Sequence, residues 1–225
     1  MSFTVKTSLL DRSDGSAQLV IGKTKVVTSV TGPIEARARQ ELPTQAALEI
    51  VIRPAVGLAT TREKLLEDKL RSLLQAVIIR YKYPRQLIQI VVQFLTTEGT
   101  SSKSNEYTNN ELNAALNACY FALVDANIAL YSSFVSLSIS LCDNKIIYYP
   151  TLAQLQASDS HHVVCFSIED RKANKLLLLE SQGDFKEDEL FHMISEAVTE
   201  CENIHEKYQR KYIADKVEKD FIWKN

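Results

Sequence analysis

The stretch of residues 29–71 decides the fold, and it reads SVTGPIEARARQELPTQAALEIVIRPAVGLATTREKLLEDKLR. An apolar run at its start and a second one over residues 46–53 predict two strands, because short runs rich in Val and Ile between turn residues are typical of buried strands. Pro54 ends the second strand. A polar loop with two arginines, Arg37 and Arg39, lies between them. The order strand, loop, strand, helix indicates an α+β architecture.

The helix at the end of this stretch carries a clear start signal. Thr60 and Glu63 have the spacing of a capping box, in which a hydroxyl and a carboxylate bind backbone amides of the first turn. Apolar residues then recur at helical spacing, and we expect them to face the core: Leu65, Leu66, Leu70, Leu73, Leu74, Val77 and Ile78. The charged residues opposite are predicted to face solvent: Lys64, Glu67, Asp68 and Arg71.

Similar patterns recur along the rest of the chain. Further strands are predicted at residues 16–21, 25–31, 86–95, 134–142, 145–148, 161–168 and 175–179. A second helix is predicted after Thr108 and Glu111, which have capping-box spacing, and a third begins near Asp184 and Glu187. The chain therefore reads as one domain over residues 1–215, with halves of about 8–130 and 131–215, and a C-terminal extension over 216–225.

Composition narrows the class of protein. A chain of 225 residues with 45% hydrophobic composition can bury a substantial core. The net charge of −2 excludes a generally basic nucleic-acid binder, so any RNA contact must be local or shared with partner chains. Four widely spaced cysteines without metal-ligand spacing predict buried thiols in a reducing compartment. Residues 112–141 carry one charge, Asp125, but their Asn and Ser content predicts a buried helix and strand, with no membrane span.

The opening hairpin and the 29–71 stretch together resemble the ribonuclease PH family. Members of that family begin with Gly-Ser-Ala, an apolar strand, Gly-x-Thr, a second strand and Gly-Pro, and this chain has these motifs at residues 15–17, 22–24 and 32–33. The resemblance extends over residues 8–200. It implies a ribonuclease PH-like fold, in which two duplicated halves of mixed sheet and helices pack together. The segments PIE, RQELPT and TTREK narrow the similarity to a ring subunit of the eukaryotic RNA exosome.

The residues that this family uses for phosphorolysis are missing at the matching positions. Family enzymes hold the attacking phosphate with arginines and a Gly-Thr-Arg or Gly-Ser-Arg motif at a helix start, and they bind metal with two aspartates. Here the matching loop, residues 99–103, reads GTSSK. The position at which family enzymes carry an arginine in the first helix falls near Asp68, and a carboxylate there would repel phosphate. The aspartate positions hold Tyr149 and either Leu155 or Gln156. We therefore predict a pseudo-enzyme without catalytic residues, metal or cofactor.

Arg37, Arg39 and Arg62 are the candidate RNA-binding residues. The resemblance implies that positions near the start of the first helix face a central RNA channel, and the planar guanidinium suits phosphate. Alternatively, these arginines are solvated loop charges or form salt bridges between subunits, and Glu35 and Glu41 flank the two loop arginines. Contacts of this kind would be to phosphates and would weaken with salt.

The resemblance implies a non-catalytic structural subunit in a six-member hetero-ring around an RNA channel. The expected partners are paralogous ribonuclease PH-like subunits, cap proteins with S1 or KH domains, and a hydrolytic 3′–5′ nuclease. The expected process is RNA processing and decay, including ribosomal RNA maturation, in nucleus, nucleolus and cytoplasm. The alternative is an active phosphorolytic 3′–5′ exoribonuclease that forms its own hexameric ring. A further alternative is another catalytically silent position in the same complex.

Overall fold

A computed structural model describes residues 3–98, 107–142 and 145–220. The first half forms a five-stranded sheet from β1 (Phe3–Thr7), β2 (Gly15–Ile21), β3 (Thr24–Glu35), β4 (Ala47–Arg53) and β5 (Gln86–Thr96). The strand order is β1-β2-β3-β5-β4, and all neighbours are antiparallel except β4, which runs parallel to β5. Strand β1, which the sequence patterns did not predict, pairs with β2 at the edge of this sheet.

The second half forms an antiparallel sheet of order β7-β6-β8-β9. Its strands are β6 (Ser133–Cys142), β7 (Lys145–Tyr148), β8 (Ser160–Glu169) and β9 (Lys172–Gly183). The helices are α1 (Thr61–Val77), α2 (Asn109–Asp125), α3 (Leu152–Ala157), α4 (Glu187–Ile204) and α5 (Lys211–Asp220). A 3₁₀ turn over Arg80–Lys82 leads into β5, and a π-helical segment, His205–Arg210, joins α4 to α5.

Helix α2 lies between the two sheets and contacts β2 and β3 on one side and β6 and β8 on the other. This position explains why residues 112–141 carry almost no charge. The asparagines of this run are satisfied inside the protein: Asn117 Nδ2 donates to Ser136 O at 3.0 Å, and Ser136 Oγ donates to Asn113 Oδ1 at 2.7 Å. The predicted buried helix followed by a buried strand is confirmed. None of the helices among the described residues is both long and apolar enough to cross a membrane.

Helix α1 confirms most of the predicted apolar stripe and corrects two positions of the predicted pattern. Glu63 Oε2 accepts hydrogen bonds from the backbone N–H and the hydroxyl of Thr60, as the capping box predicts. The buried members of the stripe are Leu66, Leu70, Leu73, Leu74, Val77 and Ile78. Leu65 is 43% exposed, because it lies about 100° around the helix from Leu66 and on the far side from Leu70.

Glu67, predicted to face solvent, is 3% exposed. Its Oε1 accepts from the backbone N–H of Ile52 at 2.9 Å, and its Oε2 lies 2.7 Å from Lys64 Nζ. Because β4 is the last strand of its sheet, the Ile52 N–H has no further strand to bind, and the buried carboxylate satisfies it instead.

Packing against α2 explains the glycine of the Gly-Ser-Ala motif. Gly15, at the start of β2, lies so close to the last turn of α2 that a Cβ atom there would collide with Ala126 N and Ala122 O. Only glycine allows this approach, so the motif fixes where the first sheet meets the central helix.

The carboxylate of Asp125, at the end of α2, joins three parts of the chain. It accepts from the backbone N–H of Ser16 at 2.9 Å and from Ser8 Oγ at 2.8 Å, and it lies 3.1 Å from Lys216 Nζ and 3.4 Å from Tyr212 Oη. Helix α5 is therefore anchored to the first half.

Residues 216–220 of the predicted extension continue α5, and residues 221–225 lie outside the described part of the chain. The domain boundaries at 130 and 215 stay a prediction.

Candidate functional site

The N-terminal end of α2 is where charged side chains of the first half meet polar side chains of the second. Arg62 Nη2 donates to Glu111 Oε1 at 2.8 Å, and Arg62 Nη1 lies 3.7 Å from Glu63 Oε1. The predicted capping box between Thr108 and Glu111 is therefore wrong. Thr108 makes no side-chain cap hydrogen bond, and the carboxylate of Glu111 binds a guanidinium 49 residues earlier in the chain in place of the Thr108 backbone N–H.

The pair of Arg62 and Glu111 is largely removed from solvent. The side chain of Glu111 is 7% exposed and that of Arg62 is 16% exposed. Burial raises the pKa of Glu111, and the neighbouring charge of Arg62 opposes this rise. The guanidinium of Arg62 is thus engaged within the chain, and its contact with RNA stays a prediction.

Strand β6 and its neighbours place polar side chains beside the same helix end. In the register, Ser140 pairs with His161 and Ser138 pairs with Val163, so alternate residues of β6 and β8 face α2. Ser138 Oγ donates to Asn110 Oδ1 at 2.9 Å, and His161 Nε2 lies 3.0 Å from Gln182 Oε1. The first of these hydrogen bonds connects α2 to the second sheet, and the second lies within that sheet, between β8 and β9.

Two residues of α1 change the expected electrostatics. Asp68 is 71% exposed in its side chain and pairs with Arg71 at 3.0 Å, so it lies at the surface and is not placed to repel an anion at α2. Besides Arg62, the inner face of α1 carries the cation Lys69, whose Nζ lies 2.7 Å from Glu180 Oε1 of β9. The sequence reasoning missed Lys69, although its spacing of seven residues from Arg62 places both on one helix face.

The positions matched to the metal-binding aspartates carry side chains other than carboxylates. Tyr149 packs between the cores of the two halves, and burial raises the pKa of its phenol far above the ordinary value. Leu155 is 1% exposed and Gln156 is exposed at the surface of α3. Within the described ranges, no three His, Cys, Asp or Glu side chains are grouped to hold a metal ion. The loop of residues 99–103 lies outside the described residues.

The loop arginines occupy a different end of the first sheet. Arg37 and Arg39 are exposed in a turn between β3 and β4, where Gln40 N and Glu41 N donate to Arg37 O. Arg62 follows the opposite end of β4, a strand of seven residues that spans roughly 20 Å. The structure therefore does not bring Arg62 together with the loop arginines, and RNA binding by Arg37 and Arg39 stays a prediction.

The cysteines behave as small apolar residues. Cys119, Cys165 and Cys201 are buried and Cys142 is half-buried, and all four are free thiols. Burial raises the pKa of Cys119 to about 12, so its thiol is protonated and unreactive at neutral pH.

We expect Arg62→Met to destabilise the protein more at neutral than at acid pH. A buried carboxyl with a raised pKa costs stability as it ionises, so stability is lost as pH rises from the unfolded-state pKa of Glu111 through its higher folded-state pKa. Without Arg62 that pKa rises further, and the loss should reach about 1–3 kcal/mol at neutral pH. Urea unfolding at acid and neutral pH measures it. The double variant Arg62→Met/Glu111→Gln should lose this pH dependence, whereas an equal loss at both pH values for Arg62→Met would contradict the assignment.

Comparisons with known proteins agree with this geometry. The family model "3′ exoribonuclease family, domain 1", of the ribonuclease PH type, matches residues 2–129. The chain is 46% identical over 208 residues to exosome complex component RRP46 of Saccharomyces cerevisiae, covering 91% of this chain and 92% of that protein. It is 27% identical to exosome complex component Rrp41 of Archaeoglobus fulgidus, covering 97% of this chain and 86% of that protein.

The fold of the second half is supported by a solved structure. The crystal structure of Rrp46 from rice (Oryza sativa) superposes with a TM-score of 0.77 at 25% identity, covering 92% of this chain and 93% of that one. The match therefore includes both sheets and the helices between them, which confirms the expected fold. The chain belongs to the ribonuclease PH family of 3′ exoribonuclease-type proteins and, within that family, is similar to the RRP46 components of exosomes.

Proposed function

We propose that the chain is a non-catalytic structural subunit of an RNA exosome. The observation that carries this proposal is the 46% identity over nine-tenths of both chains with a protein named as an exosome complex component. As a ring subunit, it would help to form the channel that guides RNA to a separate 3′–5′ nuclease for RNA processing and decay. We infer that it acts in nucleus, nucleolus and cytoplasm.

Two replaced carboxylate positions and two ion pairs support the absence of catalysis. The partly buried phenol of Tyr149 stands at one position where family enzymes carry a carboxylate, and the buried Leu155 or the exposed Gln156 stands at the other. Arg62 is neutralised by Glu111, and Lys69 by Glu180, so each of these two cations of α1 already has an anionic partner. A phosphate would have to displace these carboxylates before it could bind either cation.

The proposed partners are paralogous ribonuclease PH-like subunits in a six-member hetero-ring, cap proteins with S1 or KH domains, and a hydrolytic 3′–5′ nuclease. A ring member between unlike neighbours must present two different edges. The exposed apolar side chains of this chain, among them Val56 at 78% and Leu58 at 89%, suit such a role, because exposed apolar groups favour association.

We expect the purified chain to release no nucleoside diphosphates from single-stranded RNA in the presence of magnesium and inorganic phosphate. The physical reason is the missing carboxylates and the paired cations described above. Chromatography of the products measures release, with a phosphorolytic member of the family as positive control. Tyr149→Asp alone should not create activity, since it leaves Arg62 and Lys69 paired. Release that requires phosphate would instead support the alternative, an active exoribonuclease.

Assembly gives the second test. We expect the chain to form a 1:1 heterodimer with a ribonuclease PH-like paralogue, with an interface in the obligate class above roughly 2,000 Å². Native mass spectrometry of the chain, alone and mixed with candidate paralogues, reports the composition directly. A stable homohexamer that does not exchange with any paralogue would contradict the proposed ring position.

A further inference from the structure

Five cations come together where the loop between β3 and β4 meets the connection from α1 to β5. We call them the basic patch: Arg37, Arg39, Arg80, Lys82 and Arg85. Two backbone hydrogen bonds join the segments that carry them, from Ala46 N to Arg80 O at 3.0 Å and from Arg85 N to Leu42 O at 3.1 Å. The segment that carries Arg37 and Arg39 is therefore joined to the segment that carries Arg80, Lys82 and Arg85.

The basic patch is only partly neutralised. Arg85 Nε lies 3.4 Å from Glu41 Oε1, so this carboxylate serves Arg85 rather than the loop arginines beside it. Across the residues that the structure describes, the other four cations take part in no ion pair. Arg37, Arg39, Lys82 and Arg85 are exposed. A chain with a net charge of −2 thus keeps a local positive surplus at this end of the sheet.

Two exposed tyrosines lie beside these cations. Tyr81, between Arg80 and Lys82, is 62% exposed, and Tyr131 is 60% exposed, with their ring centroids 6.4 Å apart at an interplanar angle of 51°. The backbone holds this tyrosine pair in place, because Tyr131 N donates to Val77 O at 2.9 Å. Large apolar ring faces are therefore presented to solvent from ordered backbone.

We propose that the basic patch and the tyrosine pair form a binding surface for single-stranded RNA. The cations would contact phosphates, and the tyrosine rings would stack on bases. Exposed aromatic rings beside a positive groove are the combination that binds single strands without sequence preference, because every base has a stacking face. Arg and Tyr are also frequent in protein interfaces, so a protein partner is the alternative that the experiment below tests. The positive charge of this patch, with a carboxylate beside Arg85 alone in the described part of the chain, favours a polyanion, because successive phosphates supply negative charge along a strand. The inference rests on the proposed function for the source of the RNA, and it adds Arg80, Lys82, Arg85 and both tyrosines to the RNA contacts.

The test compares stacking and charge variants of the full chain. The variants are Tyr81→Ala/Tyr131→Ala and Arg39→Ala/Lys82→Ala. The matched controls lie elsewhere: Phe191→Ala, an aromatic residue of α4 that is also 60% exposed, and Lys145→Ala/Lys175→Ala, two exposed cations of the second sheet. Fluorescence anisotropy with a labelled oligouridine gives the dissociation constant over a range of salt concentrations.

We expect the tyrosine variant to bind RNA at least about 5-fold more weakly, since each stacked base that is lost lowers the affinity about 5- to 150-fold, with an unchanged salt dependence. The charge variant should bind more weakly and lose about 0.7 from the salt slope for each phosphate contact removed. Both controls should bind like the unsubstituted chain. All substituted side chains are at the surface, and thermal unfolding verifies that each variant is folded.

Unchanged RNA affinity in both patch variants would overturn the inference. If these variants keep their RNA affinity but lose the heterodimer in native mass spectrometry, the surface binds protein, and the inference is likewise wrong. Failure of the unsubstituted chain to assemble with any paralogue contradicts the proposed function instead, and it leaves the RNA measurement on the isolated chain intact.

Discussion

Leu70→Ala is expected to lower the free energy of unfolding by roughly 2–5 kcal/mol, because it removes a fully buried side chain and leaves a cavity between α1 and the first sheet. Leu70 has 0% exposure and belongs to the main core. A loss of this size is a large fraction of the stability of a typical domain. Chemical denaturation of the purified chain, or of its heterodimer if the free chain aggregates, measures it.

Leu65→Ala is the matched control, since it makes the same chemical change on the solvent side of the same helix, where Leu65 is 43% exposed. Its effect should stay within about 0.5 kcal/mol. A cost below about 1 kcal/mol for Leu70→Ala would mean that the buried face of α1 is wrongly placed.

Asp125→Ala is expected to cost roughly 3 kcal/mol, near the lower end of the range of about 3–5 kcal/mol for removing one partner of a buried ion pair. The substitution leaves the buried N–H of Ser16 without its acceptor and frees Lys216 from the end of α2. The effect should stay near the lower end because the freed ammonium of Lys216 can return to water. Thermal or urea unfolding measures the loss.

Because of the same carboxylate, we expect the stability of the protein to depend on pH in the acid range. Burial opposes ionisation of Asp125, but hydrogen bonds from Ser16 and Ser8 and the charge of Lys216 hold its pKa below the ordinary value. Its contribution is therefore present above the unfolded-state pKa and is lost as pH falls through the lower folded-state pKa. Asp125→Ala should remove this part of the acid sensitivity. The control is Asp11→Ala, which replaces an exposed aspartate in the loop between β1 and β2. It should change neither the stability of the protein nor the pH dependence of that stability.

Long helices and strands with a regular apolar pattern were predictable from the sequence. Short strands and contacts between distant segments were not. The capping box and buried leucines of α1 follow from local spacing, so the prediction succeeds there. It fails at Leu65, because this residue is rotated by about 140° around the helix axis from Leu70 and so lies outside the buried stripe. Strand β1 was missed because it is only five residues long, although its positions alternate between half-buried and exposed.

In the candidate site, too, contacts between distant segments could not be predicted from local spacing. Local spacing predicted that Glu111 would cap its own helix, but a guanidinium from α1 competes for the carboxylate and binds it. Likewise, the exposure of Arg37 and Arg39 follows from their polar loop, whereas Arg80 and Lys82 become their neighbours only through tertiary hydrogen bonds. Pairings between distant segments depend on the whole fold, which spacing within one segment does not contain.

The buried Glu67 also affects how a fibre could grow through the strand edges of the first sheet. Growth of a fibre by edge-to-edge strand addition needs two open edges on each sheet, one to receive a strand and one to offer the next. At β4 the Ile52 N–H is already bound by Glu67 from the same chain. A strand arriving there would have to displace a buried carboxylate and leave it without its partner. Strand addition at this part of β4 is therefore costly, which disfavours growth of a fibre through the first sheet.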